Sequence, residues 1–195
     1  SLAQAQTLEF SGFSSKTDAI NLGSISIDFG SWSGDTFSIN SSKASQTVTV
    51  SSANNTLNGL AESLSAIEGV NATVTDKGDG TFSLIINSDT GTKNALRMSV
   101  TEDPSDAGLA AFDTASNNAS KQVVAAQDAS LNLNGVTITR ETNVITDLID
   151  GYEFKLSSTT SSAATVSSTT DQAVAFATIS EFVNTYNSVT STLAA

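Results

Sequence analysis

Apolar and polar residues alternate strictly over Ser24-Ile25-Ser26-Ile27-Asp28-Phe29, Phe37-Ser38-Ile39 and Val48-Thr49-Val50. Successive side chains of a strand point to opposite faces, so this period of two predicts three strands, each with one apolar face. The period then becomes helical. Leu57, Leu60, Ala61, Leu64 and Ile67 share one face, behind Asn55-Thr56 as capping residues and ahead of Gly69 in the C′ position, which predicts an amphipathic helix over 56–68. Alternation resumes at Val70, Ala72 and Val74, stops at the turn Lys77-Gly78-Asp79-Gly80 and returns in Phe82-Ser83-Leu84-Ile85-Ile86, the pattern of a hairpin. Leu96-Arg97-Met98-Ser99-Val100 reads as one more strand. Strands, one helix and further strands in one run argue for an α+β fold, mostly β, with antiparallel sheets and one packed helix.

From Thr101 to Gln127 the alternation is lost, and the segment reads as a connector carrying one or two short helical turns. The pattern restarts in Leu131-Asn132-Leu133-Asn134-Gly135-Val136-Thr137-Ile138, where Asn-Gly between alternating runs predicts a type I′ hairpin, because both turn residues need positive φ. Val144, Leu148 and Ile149 fit a short helical stretch, followed by a strand with Tyr152, Phe154 and Leu156 facing inward. Ser157 to Thr170 is nearly all Ser, Thr and Ala and reads either as a linker or as an exposed strand at Thr165–Ser167. Ile179, Phe182, Tyr186, Val189 and Leu193 then step by three, four, three and four, the spacing of a coiled-coil seam. With a boundary near Ser120, the expected organisation is a contiguous β-rich domain over 20–119, a second β-rich domain formed by 1–19 with 120–170, and the start of a coiled-coil helical arm over 171–195. That arm lacks a partner and the sequence stops while its seam is still running, so the sequence reads as a piece of something longer.

Composition narrows the function. The 195 residues hold 8 Lys+Arg against 20 Asp+Glu, a formal net charge of −12, which repels phosphate backbones and anionic lipid heads. Nucleic-acid and membrane partners are not expected. Cys and His are both absent, which removes disulfides, thiol chemistry, Ser-His-Asp catalysis and nearly every zinc or copper site. Charged residues make up only 14%, while 58 residues are Ser or Thr, so the surface is built largely from hydroxyls and amides. No apolar run approaches the roughly 20 residues of a membrane helix. The opening Ser-Leu-Ala-Gln-Ala-Gln lacks the basic and apolar regions of a secretory signal. A cytosolic protein, one exported by another route, and a fragment all remain open.

The candidate chemical groups read as structural. Asp76 and Asp79 lie beside the glycines of a hairpin turn and lack the twelve-residue calcium pattern with its closing Glu. Glu102, Asp103 and Asp106 cluster beside Pro104 in what reads as a solvated loop. No Ser-x-x-Lys or Gly-x-Ser-x-Gly element occurs. No catalytic, metal-binding or cofactor-binding residue is assigned, and no enzyme is expected. The sequons at Asn40, Asn54, Asn71 and Asn118 are what a sequence this rich in Asn, Ser and Thr produces by chance. Trp32, the only Trp, lies between Gly30 and Gly34 in an expected turn, either as a lid on the core or as an anchor for a partner.

One long stretch carries a resemblance. Gln127-Asp128-Ala129-Ser130-Leu131-Asn132-Leu133-Asn134-Gly135-Val136-Thr137-Ile138-Thr139-Arg140-Glu141-Thr142-Asn143-Val144-Ile145-Thr146-Asp147-Leu148-Ile149-Asp150-Gly151 resembles the signature of the FliD-type flagellar filament cap family of hook-associated proteins. Leu2 to Gln6, Thr56-Leu57 through Gly69-Val70-Asn71-Ala72, Phe82 to Gly91, and Phe182-Val183-Asn184-Thr185-Tyr186-Asn187 match further family elements in order. The resemblance implies a head of two β-rich domains, with the family's helical arms missing except for the start of one after Asp171. It also implies a homo-oligomeric cap, outside the cell at the tip of the growing flagellum, that guides flagellin subunits into the filament. Freedom from Cys suits export through a narrow channel in the unfolded state. The alternative from another class is a surface- or host-binding adhesin domain, which would present exposed aromatics such as Trp32, Phe37 or Tyr152 to host polymers.

Overall fold

A computed structural model describes residues 1–17, 19–116, 118–167 and 172–193, with the side chains of the last helix described from 176 onward. Strands β1 (Ala5–Phe13), β2 (Gly23–Ser33), β3 (Thr36–Ile39) and β4 (Gln46–Val50) precede helix α1 (Leu57–Ser65), and β5 (Val70–Asp76), β6 (Phe82–Thr90) and β7 (Ala95–Glu102) follow it. The short helix α2 (Asn118–Lys121) leads to β8 (Gln122–Val124), β9 (Ala129–Leu133), β10 (Val136–Arg140), β11 (Val144–Ile145) and β12 (Phe154–Lys155), and α3 (Gln172–Leu193) comes last. The protein divides into one unit over Ser1–Thr159 and another over Thr160–Ala195. The fold is therefore the expected mostly β, α+β arrangement of antiparallel sheets.

In the first unit one sheet has the order β5-β6-β1-β8. A second is organised around β2, which pairs with β4 over Gly23 to Ile27, with β3 over Gly30 to Ser33, and with β7 along its other edge. Both sheets and α1 feed one core. Leu8 and Phe10 of β1, Ile25 and Ile27 of β2, Leu84 and Ile86 of β6, Leu96 and Met98 of β7, and Leu57, Leu60 and Leu64 of α1 are all buried in it. Each contributes roughly 1.5–3 kcal/mol by leaving water, which is what fixes α1, a helix too short to hold alone. Thr56 caps α1 as expected, its Oγ1 accepting from the Gly59 amide at 3.0 Å. The helix stops at Ser65 with Ala66 as its C-cap, so Gly69 lies beyond the expected C′ position, in the turn into β5.

The outer edge of β7 is closed by side chains. Gln6 Oε1 accepts from the Leu96 amide at 2.6 Å, Thr114 Oγ1 from Met98 at 2.8 Å and Asp113 Oδ2 from Val100 at 3.1 Å. An edge satisfied in this way offers no template to another strand. The connector after β7 is more ordered than its lost alternation implies. A turn of 3-10 helix, Leu109–Phe112, drives Leu109 and Phe112 into the core, where the Phe112 ring stacks on Phe13 with centroids 5.7 Å apart.

Several expectations are corrected. The helical stretch from Val144 is instead β11, because β-branched Val144 and Ile145 pair with Lys155 and Phe154. The strand with Tyr152 inward is reduced to Phe154–Lys155, and Tyr152 is 47% exposed in the turn before it. Thr165–Ser167 forms no strand, and Val166, its one bulky apolar residue, is 77% exposed. Trp32 sits on β2 opposite Phe37, and the turn falls after it, at Gly34. The grouping of residues 1–19 with 120–170 is not among these corrections. Gln4 pairs with Gln127 and Ser1 with Ser130, whereas β1 lies between β6 and β8.

Candidate assembly surface

The stretch from Gln127 to Asp147 builds a joint. It begins as a partner for the first residues of the protein: Gln4 and Gln127 exchange backbone hydrogen bonds at 2.8 and 3.0 Å, and the Ser1 amine donates to the Ser130 carbonyl at 2.9 Å. Asp128 then reaches the loop after β6. Its Oδ1 accepts from the Thr92 amide at 2.7 Å and its Oδ2 from the Thr92 hydroxyl at 2.9 Å. Asn143 imitates a strand, its Oδ1 accepting from the Ala3 amide at 2.7 Å and its Nδ2 donating to the Ala3 carbonyl at 2.9 Å. Arg140 meets Asp147 through Nε and Nη2 at 2.9–3.1 Å, and Lys93 lies 3.9 Å from Glu141. Ala3, Ala129 and Ile145 are buried where these segments converge.

From this joint the β9–β10 hairpin projects. Leu133 faces Val136 across its turn, with Asn134 at φ 52° and Gly135 at φ 91°, the two positive values expected for the Asn-Gly pair. No atom lies within 4 Å of where a Cβ on Gly135 would stand, so the cost of a side chain there is conformational only. Gly135→Val is expected to lower stability by about 1–3 kcal/mol, read as a shifted denaturant midpoint. An unchanged midpoint would remove the turn assignment.

The carboxylates singled out in the sequence do not converge on a site, and they are more than solvated charges. Asp76 Oδ1 accepts from the Gly78 amide at 2.8 Å, and Asp79 Oδ1 from the amide and hydroxyl of Thr81 at 2.9 and 2.6 Å, so each builds the β5–β6 turn. Glu102 accepts from the Gly108 and Ala110 amides, Asp103 from Ser105, and Asp106 from Asn21 and the Leu22 amide, so the carboxylates of this solvent-exposed loop also shape its backbone. Among the described residues no group of three or more Asp or Glu is placed to hold a metal ion. Three sequon asparagines serve the fold: Asn40 and Asn54 bridge backbone turns, and Asn118 lies buried against Gln6.

These bonds set the acid response. The Ala110 and Gly108 amides hold Glu102 below its ordinary pKa, Ser105 does the same for Asp103, Thr81 for Asp79, Arg140 for Asp147, and Lys77 with Ser83 for Glu9. Burial pushes Asp28 upward, but the Ser45 hydroxyl and the Arg97 guanidinium outweigh it and the net shift is down. A carboxylate with a depressed folded pKa stabilises the fold above its unfolded pKa, and that contribution is lost as pH falls through the folded value. With no histidine in the sequence, the denaturant midpoint is expected to be flat between about pH 5 and 8 and to fall progressively below about pH 4. A midpoint that rises on acidification would contradict these pairings.

The aromatics named for an adhesive patch are not assembled into one. Trp32 and Phe37 pack on each other with centroids 4.9 Å apart, Arg97 stands 4.9 Å over the Phe37 ring, and the Trp32 Nε1 donates to the Leu96 carbonyl at 3.0 Å. Tyr152 belongs to a different turn. In the second unit, α3 carries Ile179, Phe182, Tyr186, Val189 and Leu193 at the expected spacing, and each is more than half exposed.

The family model for the flagellar hook-associated protein 2 C-terminus matches residues 126–195, starting where the joint starts. Flagellar hook-associated protein 2 of Salmonella typhimurium is 32% identical over 128 residues, covering 65% of this chain and 27% of that protein. Its counterpart in Escherichia coli K12 is 32% identical over 149 residues, 75% of this chain and 32% of that protein. The D1-D2-D3 domains of the Escherichia coli flagellar cap protein FliD match 98% of this chain and 56% of that one, at 30% identity and a TM-score of 0.77. The chain belongs to the FliD family. FliD (HAP2) from Pseudomonas aeruginosa PAO1 shares the fold, with a TM-score of 0.72 at 23% identity over 97% of this chain and 85% of that one. The chain spans about a third or less of the curated FliD relatives it matches.

The joint gives the FliD signature residues physical tasks: Asp128 and Asn143 clamp distant segments, Asn134-Gly135 turns the hairpin, and Arg140–Asp147 braces its base. The resemblance singles out these positions; the partners of Asp128 and Asn143 lie too far along the sequence for spacing to reveal.

Proposed function

We propose that this chain belongs to the head of an oligomeric cap at the tip of the bacterial flagellar filament, a structural component outside the cell that guides flagellin subunits into the growing end. Its partners are then further copies of itself and flagellin, and its work is assembly, with no bond made or broken. The observation that carries this reading is the joint over 127–147, where the residues of the family signature are spent on holding four segments together and the hairpin they support is left projecting. Such a part transmits position between neighbours. We further propose the division into a domain over 20–119, a second over 1–19 with 120–170, and an arm from 171, with β1 running between the first two. The pairing of residues 1–4 with 127–130 supports joining the N-terminal segment to the second domain, and the exposed apolar seam of α3 supports the arm.

Adhesion to host polymers is the second reading. It is weakened because Trp32 and Phe37 are engaged with each other and with Arg97 and Leu96. The test is deletion of Leu131 to Leu156 from the full-length protein in a motile cell. Filament growth is expected to fail, with flagellin lost to the medium. Normal filaments would overturn the cap role for this region and leave adhesion as the leading reading.

A further inference from the structure

The sequence has two Asn-Gly dipeptides, Asn58-Gly59 and Asn134-Gly135, and the fold treats them differently. Asn-Gly is the pair most open to intramolecular attack, because glycine offers the least steric hindrance at the nitrogen that must reach the asparagine amide. Asn58 lies in the first turn of α1 between buried Leu57 and Leu60, and its Gly59 is packed so that a Cβ there would stand 2.6 Å from the Asn54 carbonyl oxygen. Closing a ring there means unwinding a helix anchored in the core. Asn134 and Gly135 are both exposed, with open space around the turn. One contact restrains it: the Gly135 amide donates to Asn132 Oδ1 at 2.8 Å, which occupies the nitrogen that would attack.

We propose that Asn134 is a site of spontaneous deamidation in the folded protein and that Asn132 guards it. In the first step the Gly135 nitrogen gives up its proton to solvent and bonds to Asn134 Cγ, the Cγ–Nδ2 bond breaks, and ammonia leaves, closing a succinimide. In the second step water adds to one of the two imide carbonyls, that carbonyl's bond to the Gly135 nitrogen breaks, and the nitrogen regains its proton. The product is aspartate, or isoaspartate, in which the backbone runs through Cβ and Cγ. The net reaction consumes one water, releases one ammonia and involves no oxidation or reduction. Isoaspartate adds a methylene to a two-residue turn, so it removes the Leu133–Val136 pairing on which the register of the hairpin depends. Either product adds a negative charge to a protein already at −12. The site thus marks the age of a protein that, on the reading above, works outside the cell beyond reach of replacement.

The test is peptide mapping by mass spectrometry of the folded 195-residue protein held in mildly alkaline buffer, with isoaspartyl methyltransferase labelling to count isoaspartate. Deamidation is expected at Asn134 and not at Asn58, while the protein held in denaturant should react at both. N132A removes an exposed side chain outside the core and is expected to speed reaction at Asn134 by about fivefold, the factor that an ordinary hydrogen bond carries. Equal rates at Asn58 and Asn134 in the folded protein, or no reaction at Asn134, would overturn the site. An N132A rate equal to wild type would overturn the guard. Circular dichroism of N132A before and after incubation separates loss of the guard from loss of the fold.

Discussion

Gly30→Val is expected to tear β3 from the second sheet. Gly30 sits mid-strand in β2, with Ile39 of β3 opposite it on one side and Ala95 of β7 on the other. A Cβ there would stand 2.1 Å from the Ser38 carbonyl oxygen and 2.7 Å from the Phe37 ring. The first of these is backbone, so no rotamer change relieves it. Phe37 is held over the glycine by Trp32 and Arg97, and displacing it breaks that cluster as well. Overpacking against backbone in a central strand puts the loss at about 3 kcal/mol or more, at the severe end for a single residue. Denaturant titration followed by Trp32 fluorescence, from the one tryptophan present, reads both effects. A shift below about 1 kcal/mol, with the emission unchanged, would mean that β2 and β3 do not pair as described.

The second large effect is expected from Gln6→Leu. Gln6 is fully buried, accepts from the Leu96 amide at 2.6 Å and donates to Asn118 Oδ1 at 3.1 Å and Gln122 Oε1 at 2.8 Å. One residue thus ties β1 to β7, α2 and β8. Leucine fills a similar volume, so the loss reports the stranded polar groups more than a cavity. A buried donor left without a partner costs about 1–3 kcal/mol, and with two further amides released the expected loss is about 3 kcal/mol. Amide hydrogen exchange gives the specific signature: Leu96 should lose protection while Ile27, across the same sheet, keeps most of its own. Equal loss at both would indicate global destabilisation without a special role for Gln6.

Gln6 also shows where sequence reasoning stops. The elements whose period is uninterrupted, β2, α1 and β5 to β7, are legible because each buries its own apolar side, and the β9–β10 hairpin is legible from its Asn-Gly turn although Val136 beside it is exposed. β1 is not, because polar Gln6 takes an inward place ahead of Leu8 and Phe10 and the alternation loses its apolar lead. The family resemblance, over Leu2 to Gln6, reaches only the first two residues of β1. β11 fails for the opposite reason: Val144, Leu148 and Ile149 happen to fall at helical spacing, and the pairing of Ile145 with Phe154 decides the matter from outside the window. The joint itself is legible as a motif and illegible as a mechanism. Asp128 acts on Thr92 and Asn143 on Ala3, 36 and 140 residues away. The structural tasks of Glu102, Asp103 and Asp106 are equally hidden, because a carboxylate's hydrogen bond to an amide, near as for Glu102 or 84 residues away as for Asp106 and Leu22, leaves no trace in charge or hydropathy.

The place where the full-length protein binds decides between a cap and an adhesin. Gold-labelled full-length protein should be added to isolated filaments and imaged by electron microscopy, beside the same protein carrying the Leu131 to Leu156 deletion. The cap reading predicts label confined to filament ends and lost with the deletion. Label spread along the filament shaft, or end binding undiminished by the deletion, would contradict it.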